Sequence, residues 1–178
     1  MNPILNRQRT TLVVVDVQEA FRNVIDGFAA TVDRCAVLVQ GARILDLPIL
    51  VTEQYPQGLG ATVDEISIHL EAIPRLEKTA FSAVGAPGFD LAGRDQVLIC
   101  GIETHICVSQ TVHELLSNDV EVHVASDAVA SRTTADRQVG LDRMRRSGAV
   151  LSSSEMALFE LLERAGTDEF KAIQRLVI

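Results

Sequence analysis

The chain is short of cysteine. Cys35, Cys100 and Cys107 make an odd number with no metal-ligand spacing, which suggests neither a disulfide framework nor a zinc site. No apolar run approaches the ~18 residues of a membrane span, and residues 1–10 lack the long apolar stretch of a signal peptide. A basic excess is missing too. The formal net charge is -8, which argues against binding nucleic acid or an anionic membrane through bulk charge. Arg143, Arg145 and Arg146 do cluster, but at a predicted helix end, where the helix dipole accounts for them. There is no internal repeat and no low-complexity linker, so residues 1–178 are expected to form one domain. A Gly-x-Gly-x-x-Gly turn after the first strand is also lacking, which counts against a nucleotide-dependent oxidoreductase. The expectation is a soluble, cytoplasmic protein acting on a small molecule, with no metal, cofactor, nucleic acid or membrane partner.

What is present is an alternation of apolar runs and helical patterns. Residues 11–15, 48–52, 96–100, 121–125 and 149–151 read as strands, with a weaker candidate at 75–79. Between them, Val32, Cys35, Val39 and Ala42 recur at helical spacing, as do Val108, Val112 and Leu115. A helix over 135–147 carries its arginines late and stops at Gly148. Ser152 with Glu155 reads as a capping box for a helix whose apolar stripe is Met156, Phe159 and Leu162. Phe170, Ile173 and Leu176 mark a last helix. Strands apolar on both faces and separated by helices imply a three-layer α/β/α sandwich around a six-stranded, mainly parallel, Rossmann-like sheet.

In such folds ligands sit beyond the carboxyl ends of the strands. That rule gathers Asp16, the segment 52–55, Lys78, residues 101–107 of the octapeptide Gly101-Ile102-Glu103-Thr104-His105-Ile106-Cys107-Val108, and Ser126 with Asp127. Cys107 falls near the first turn of the helix after a strand. There the positive end of the helix dipole favours thiolate, and free backbone N–H groups suit an oxyanion. Taken singly, each residue has an ordinary explanation: Asp16 with Glu19 as a capping box, Lys78 as a surface charge, Cys107 as a core thiol. Cys35 and Cys100 fit packing. Together, an acid, a lysine and a cysteine make a device. The carboxylate takes the thiol proton, the ammonium favours both anions, and the sulfur attacks a carbonyl carbon to give a thioester. Two other readings stay open: a silent small-ligand binder or scaffold, and a redox-sensing thiol.

The three pieces resemble the isochorismatase-like cysteine hydrolases. Asp16 after its apolar strand, Lys78 before Thr79-Ala80-Phe81-Ser82, and the Cys107 octapeptide come in that family's order, over residues 9–157. Val51-Thr52-Glu53-Gln54-Tyr55-Pro56-Gln57-Gly58-Leu59-Gly60 and Phe170-Lys171-Ala172-Ile173-Gln174 are similar to the isochorismatase-domain-containing subgroup. The resemblance implies an Asp16–Lys78–Cys107 triad. It also implies a cis peptide between Ile102 and Glu103, which puts the Glu103 and Cys107 amides in an oxyanion hole, and a homo-oligomer of two or more copies. Where nicotinamidases carry a metal-binding Asp-x-His pair, this chain has Thr52-Glu53-Gln54-Tyr55-Pro56, so a metal-dependent nicotinamidase is disfavoured. Isochorismatases lack the cysteine found here as Cys107. The expected activity is metal-independent hydrolysis of a small amide or related C–N bond. Glu53, Gln54, Tyr55, Phe81 and His105 are candidates for the substrate pocket. The C-terminal helix, with Phe170, Ile173 and Val177, suits either an interface between copies or the domain's own core.

Overall fold

A computed structural model describes residues 4–178. Its strands are β1 (Thr10–Val15), β2 (Ile49–Gln54), β3 (Arg75–Lys78), β4 (Gln96–Ile102), β5 (Glu121–Ala130) and β6 (Val150–Ser152). They form one six-stranded sheet in the order β3-β2-β1-β4-β5-β6. Every pairing is parallel, so the sheet goes beyond the mainly parallel one expected. The chain runs outward from β1 to one edge, returns to lay β4 beside β1, and then runs out to the other edge. The direction reverses between β1 and β4, and the crevice at their carboxyl ends is where open α/β sheets bind ligands.

The helices are α1 (Phe28–Ile44), two short ones, α2 (Pro56–Leu59) and α3 (Asp64–Ser67), then α4 (Ser109–Ser117), α5 (Thr134–Arg146), α6 (Ser154–Leu162) and α7 (Asp168–Val177). One sheet face packs Leu12 and Val14 with Leu38 of α1, Leu158 of α6 and Ile173 of α7. The other packs Val13 and Val15 with Val112 of α4 and Met144 of α5. Both faces of β1 are therefore dry, which is why its sequence is apolar without alternation.

Two elements differ from their sequence patterns. β5 continues past Ala125 to Ala130 through a shift of register against β4 between Ile99 and Gly101. Arg137 of α5 fastens this irregular stretch by donating to Val129 O at 2.9 Å and to Ser126 O. Helix α6 is capped by Ser153, whose hydroxyl accepts from Met156 N at 3.2 Å, not by Ser152. Its buried face is Ala157, Leu158, Leu161 and Leu162, while Met156 is exposed and Phe159 partly so. Cys35 and Cys100 are fully buried packing residues, and the Cys35 thiol donates to Ala128 O at 3.3 Å.

Candidate active site

Sheet register brings the site together. Val15 pairs with Thr52 across β1 and β2, Gln54 pairs with Lys78 across β2 and β3, and Val15 pairs with Gly101 across β1 and β4. Asp16 leaves β1 in the left-handed region, with φ 51°, a conformation that aspartate tolerates better than most residues. Its carboxylate is fully buried and is not a helix cap. Oδ1 accepts from Thr52 Oγ1 at 2.7 Å, and Oδ2 accepts from Lys78 Nζ at 2.6 Å. Both side chains of the ion pair have no solvent exposure. The Cys107 thiol adjoins this pair, close enough that it and the Asp16 carboxyl each shift the proton affinity of the other.

Cys107 does not lie in the first turn of an ordinary α-helix. Thr104–Val108 is a π-helical turn wedged between β4 and α4, a geometry that recurs at functional sites. Three contacts shape it. Gly101 has φ 123°, and a Cβ there would meet Val15 O at 2.1 Å, so only glycine lets β4 run past the end of β1 at this point. Gly140 of α5 packs so closely that a Cβ would lie 3.0 Å from His105 Cα. Thr111 Oγ1 donates to Cys107 O at 2.7 Å and accepts from Ala83 N at 2.8 Å, tying the turn to the loop after Lys78. The Ile102–Glu103 peptide is cis. The Glu103 carboxylate is taken up by Arg132, accepting from Arg132 N at 3.1 Å and Arg132 Nε at 3.0 Å.

The electrostatics correct one expectation. At rest the sulfur is a thiol, not a thiolate. Burial, and next the negative charge of Asp16, push the Cys107 thiol up to about 12, against the opposing pull of Lys78 and the Glu103 backbone. Burial also raises the Asp16 carboxyl above its ordinary value, and Lys78, Thr52 and Cys107 offset this only in part. A buried Asp16–Lys78 pair is neutral as a unit. A thiolate added beside it would be a second, unbalanced anion, so the site favours the neutral thiol.

The pocket candidates divide. Glu53 is buried and accepts from Thr62 N and Thr62 Oγ1, both at 2.7 Å, so it orders a loop. Gln54 turns to Lys78, its Oε1 accepting from Nζ at 2.7 Å. Tyr55 is exposed and borders an open cleft of about 480 Å³ with Pro56, Lys78, Thr79 and Pro87. The Phe81 ring is exposed, and its carbonyl accepts from Lys78 at 3.0 Å. His105 shares a hydrogen bond with Ser131 Oγ through Nδ1 at 2.9 Å, joining the π-turn to the end of β5. Thr52 falls in the segment 52–55 gathered from sequence, whereas nothing there marks Gln18 or Thr111, although Thr111 stands at i+4 from Cys107, the spacing of a hydroxyl that bonds back to a carbonyl. Thr52, Glu53 and Gln54 all spend their side chains on protein partners, and no metal-ligand cluster of three His, Cys, Asp or Glu forms among the described residues.

Comparison with known proteins bears on the same residues. The isochorismatase domain model matches residues 10–156, a span that includes the three converging side chains. The chain belongs to the isochorismatase family. Among relatives, mouse isochorismatase domain-containing protein 2A is 44% identical over 173 residues, covering 96% of this chain and 83% of that one. The secreted isochorismatase effector Isc1 of Phytophthora sojae is 41% identical over 177 residues, covering 94% and 84%. Among solved structures, the MAR1 ribonuclease of Caenorhabditis elegans superposes with a TM-score of 0.92 at 37% identity, covering 98% of this chain and 92% of that one. The fold is thus the isochorismatase-like α/β fold. Among the described residues no helix is long and apolar enough to cross a membrane.

Proposed function

We propose that this isochorismatase-family protein is a cysteine hydrolase that cleaves a C–N bond of a small amide or related compound without a metal. The observation that carries this reading is a fully buried Asp16–Lys78 ion pair adjoining the Cys107 thiol at the carboxyl edge of the sheet. As sulfur attacks the carbonyl carbon, Asp16 takes the thiol proton, and the carbonyl electron pair moves to oxygen. The backbone amides of Glu103 and Cys107 hold that oxyanion. Collapse breaks the C–N bond while Asp16 returns the proton to the leaving nitrogen, leaving a thioester. Water, deprotonated by Asp16, then adds to the thioester, and the sulfur leaves and regains a proton from Asp16. Lys78 supplies the fixed positive charge throughout. A carboxyl already raised by burial is a good acceptor for this traffic, because its proton affinity lies closer to that of its partners.

Acyl chemistry is favoured over the phosphodiester chemistry in the name of the worm structure. Lys78 is wholly buried with four protein acceptors around its nitrogen, so it offers a phosphate nothing. A net charge of -8 also repels a polyanion. Three free thiols fit a reducing compartment such as the cytoplasm. The exposed rings of Tyr55 and Phe81 beside the site support a homo-oligomer, a dimer or larger, in which another copy covers them. The test is a panel of small amides and ureides assayed for amine or ammonia release, with mass spectrometry of Cys107. The expected result is turnover and an acyl adduct in the native protein and neither in Cys107→Ala. Equal turnover in the variant overturns the proposal.

A further inference from the structure

Lys78 is held by more than its carboxylate. An ammonium has three N–H bonds to give. This one faces Asp16 Oδ2 at 2.6 Å, Gln54 Oε1 at 2.7 Å, Phe81 O at 3.0 Å and Ala80 O at 3.2 Å. The Gln54 contact is nearly as short as the ion pair. The orientation of this amide is fixed at both ends. Its Nε2 donates to Thr79 O at 2.8 Å, so a flipped amide would set an N–H group against the ammonium. The main chain at Gln54 is clamped in turn by the fully buried Gln18, which accepts from Gln54 N at 2.8 Å and donates to Gln54 O at 3.1 Å. The second N–H of the Gln18 amide goes to Gly60 O at 2.6 Å. Two glutamines with every amide group engaged thus connect the loop after β2 to the one cation of the site.

We infer that Gln54 is a positioning residue, its amide oxygen holding the Lys78 ammonium beside Asp16 whether or not Asp16 carries a proton. This rests on the hydrolase reading above. In that cycle Asp16 alternates between carboxylate and carboxylic acid, and in the protonated phase the ion pair no longer restrains Lys78. The neutral acceptors Gln54, Ala80 and Phe81 keep it in place, ready to favour the carboxylate when the proton leaves. A neutral group is what this task needs. A carboxylate at position 54 would compete with Asp16 for the ammonium and set a second negative charge near the sulfur.

The experiment is the pH profile of Cys107 alkylation by iodoacetamide, read by mass spectrometry in the native protein, Gln54→Met and Gln54→Asn. Alkylation forms an S–C bond, expels iodide and passes the thiol proton to Asp16, so the acid limb of the profile follows Asp16 ionisation. With Lys78 slackened, that limb is expected to move up by about one pH unit, a rate about tenfold lower at a fixed pH below it. Gln54→Asn keeps an amide on a shorter stem, so the shift is still read if Gln54→Met does not fold. A limb that stays at its native pH in a folded variant, even with a slower rate, overturns the inference, because a purely structural role would lower the rate without moving the limb. Lys78→Met and Asp16→Asn separate the two levels. If they change the profile and the Gln54 variants do not, only the positioning role fails. If they too leave it unchanged, the hydrolase reading fails with it.

Discussion

Lys78 and Asp16 form a pair whose two halves are each costly to bury alone. The folded-state carboxyl of Asp16 lies above its ordinary value, so its contribution to stability is complete at low pH and is lost as pH rises through that folded value. Lys78 limits the loss by favouring the carboxylate. Replacing it with methionine removes that compensation and leaves Asp16 to take up a proton in order to stay buried. Lys78→Met is therefore expected to destabilise the protein by about 3 kcal/mol at pH 8 and by clearly less at pH 5, where the proton costs less to supply. Urea unfolding at both pH values measures this, and an equal loss at the two would contradict it. The same residues show what sequence leaves unread. That an acid, a lysine and a cysteine stand at strand ends is visible from the apolar runs before them. That Cys107 rests as a thiol is not, because its proton affinity is set by burial and by the Asp16 charge, and both exist only after three distant segments meet.

At the scale of elements, β1 and β4 were legible because both their faces are buried and the residues say so. The π-turn was not: its extra residue per turn leaves no periodic mark over five positions. Helix α6 shows a finer failure. Ser152, Ser153 and Ser154 are each acceptable caps, and the stripe Met156, Phe159 and Leu162 marks only one edge of a buried face that centres on Leu158 and Leu161. The decision is made far away in sequence by Asp127, which accepts from Ser154 N at 2.7 Å and Ser154 Oγ at 2.6 Å and so draws Ser154 into the first helical turn. A carboxylate at that helix start is also favourable to the dipole. Ser153→Ala is expected to cost about 1 kcal/mol, the usual worth of an N-cap hydroxyl, and Ser152→Ala distinctly less. Thermal or urea unfolding of the two variants ranks them, and the reverse order would restore the capping box at Ser152.

Across the whole molecule, the C-terminal helix had two possible employments, an interface between copies or the wall of its own subunit. The structure chooses the second for its central residue. Ile173 is fully buried against α1 and α6, Phe170 meets Phe159 edge to face at 6.1 Å, and Leu176 and Val177 are partly covered by the same core. Arg7 adds a two-pronged bond to Glu169, both distances 3.0 Å, that straps the start of the chain to the start of α7. A helix whose apolar stripe is already spent within the subunit has little left to offer a partner. Truncating Ile173 should then act on folding and not on assembly. Ile173→Ala is expected to lower unfolding free energy by about 3 kcal/mol, the cost of removing a fully buried isoleucine side chain. Sedimentation should show the subunit number of the native protein at concentrations where the variant remains folded. If the variant instead dissociates while each copy keeps its native unfolding midpoint, α7 belongs to the interface. The exposed Tyr55 and Phe81 would then not be needed to account for an oligomer.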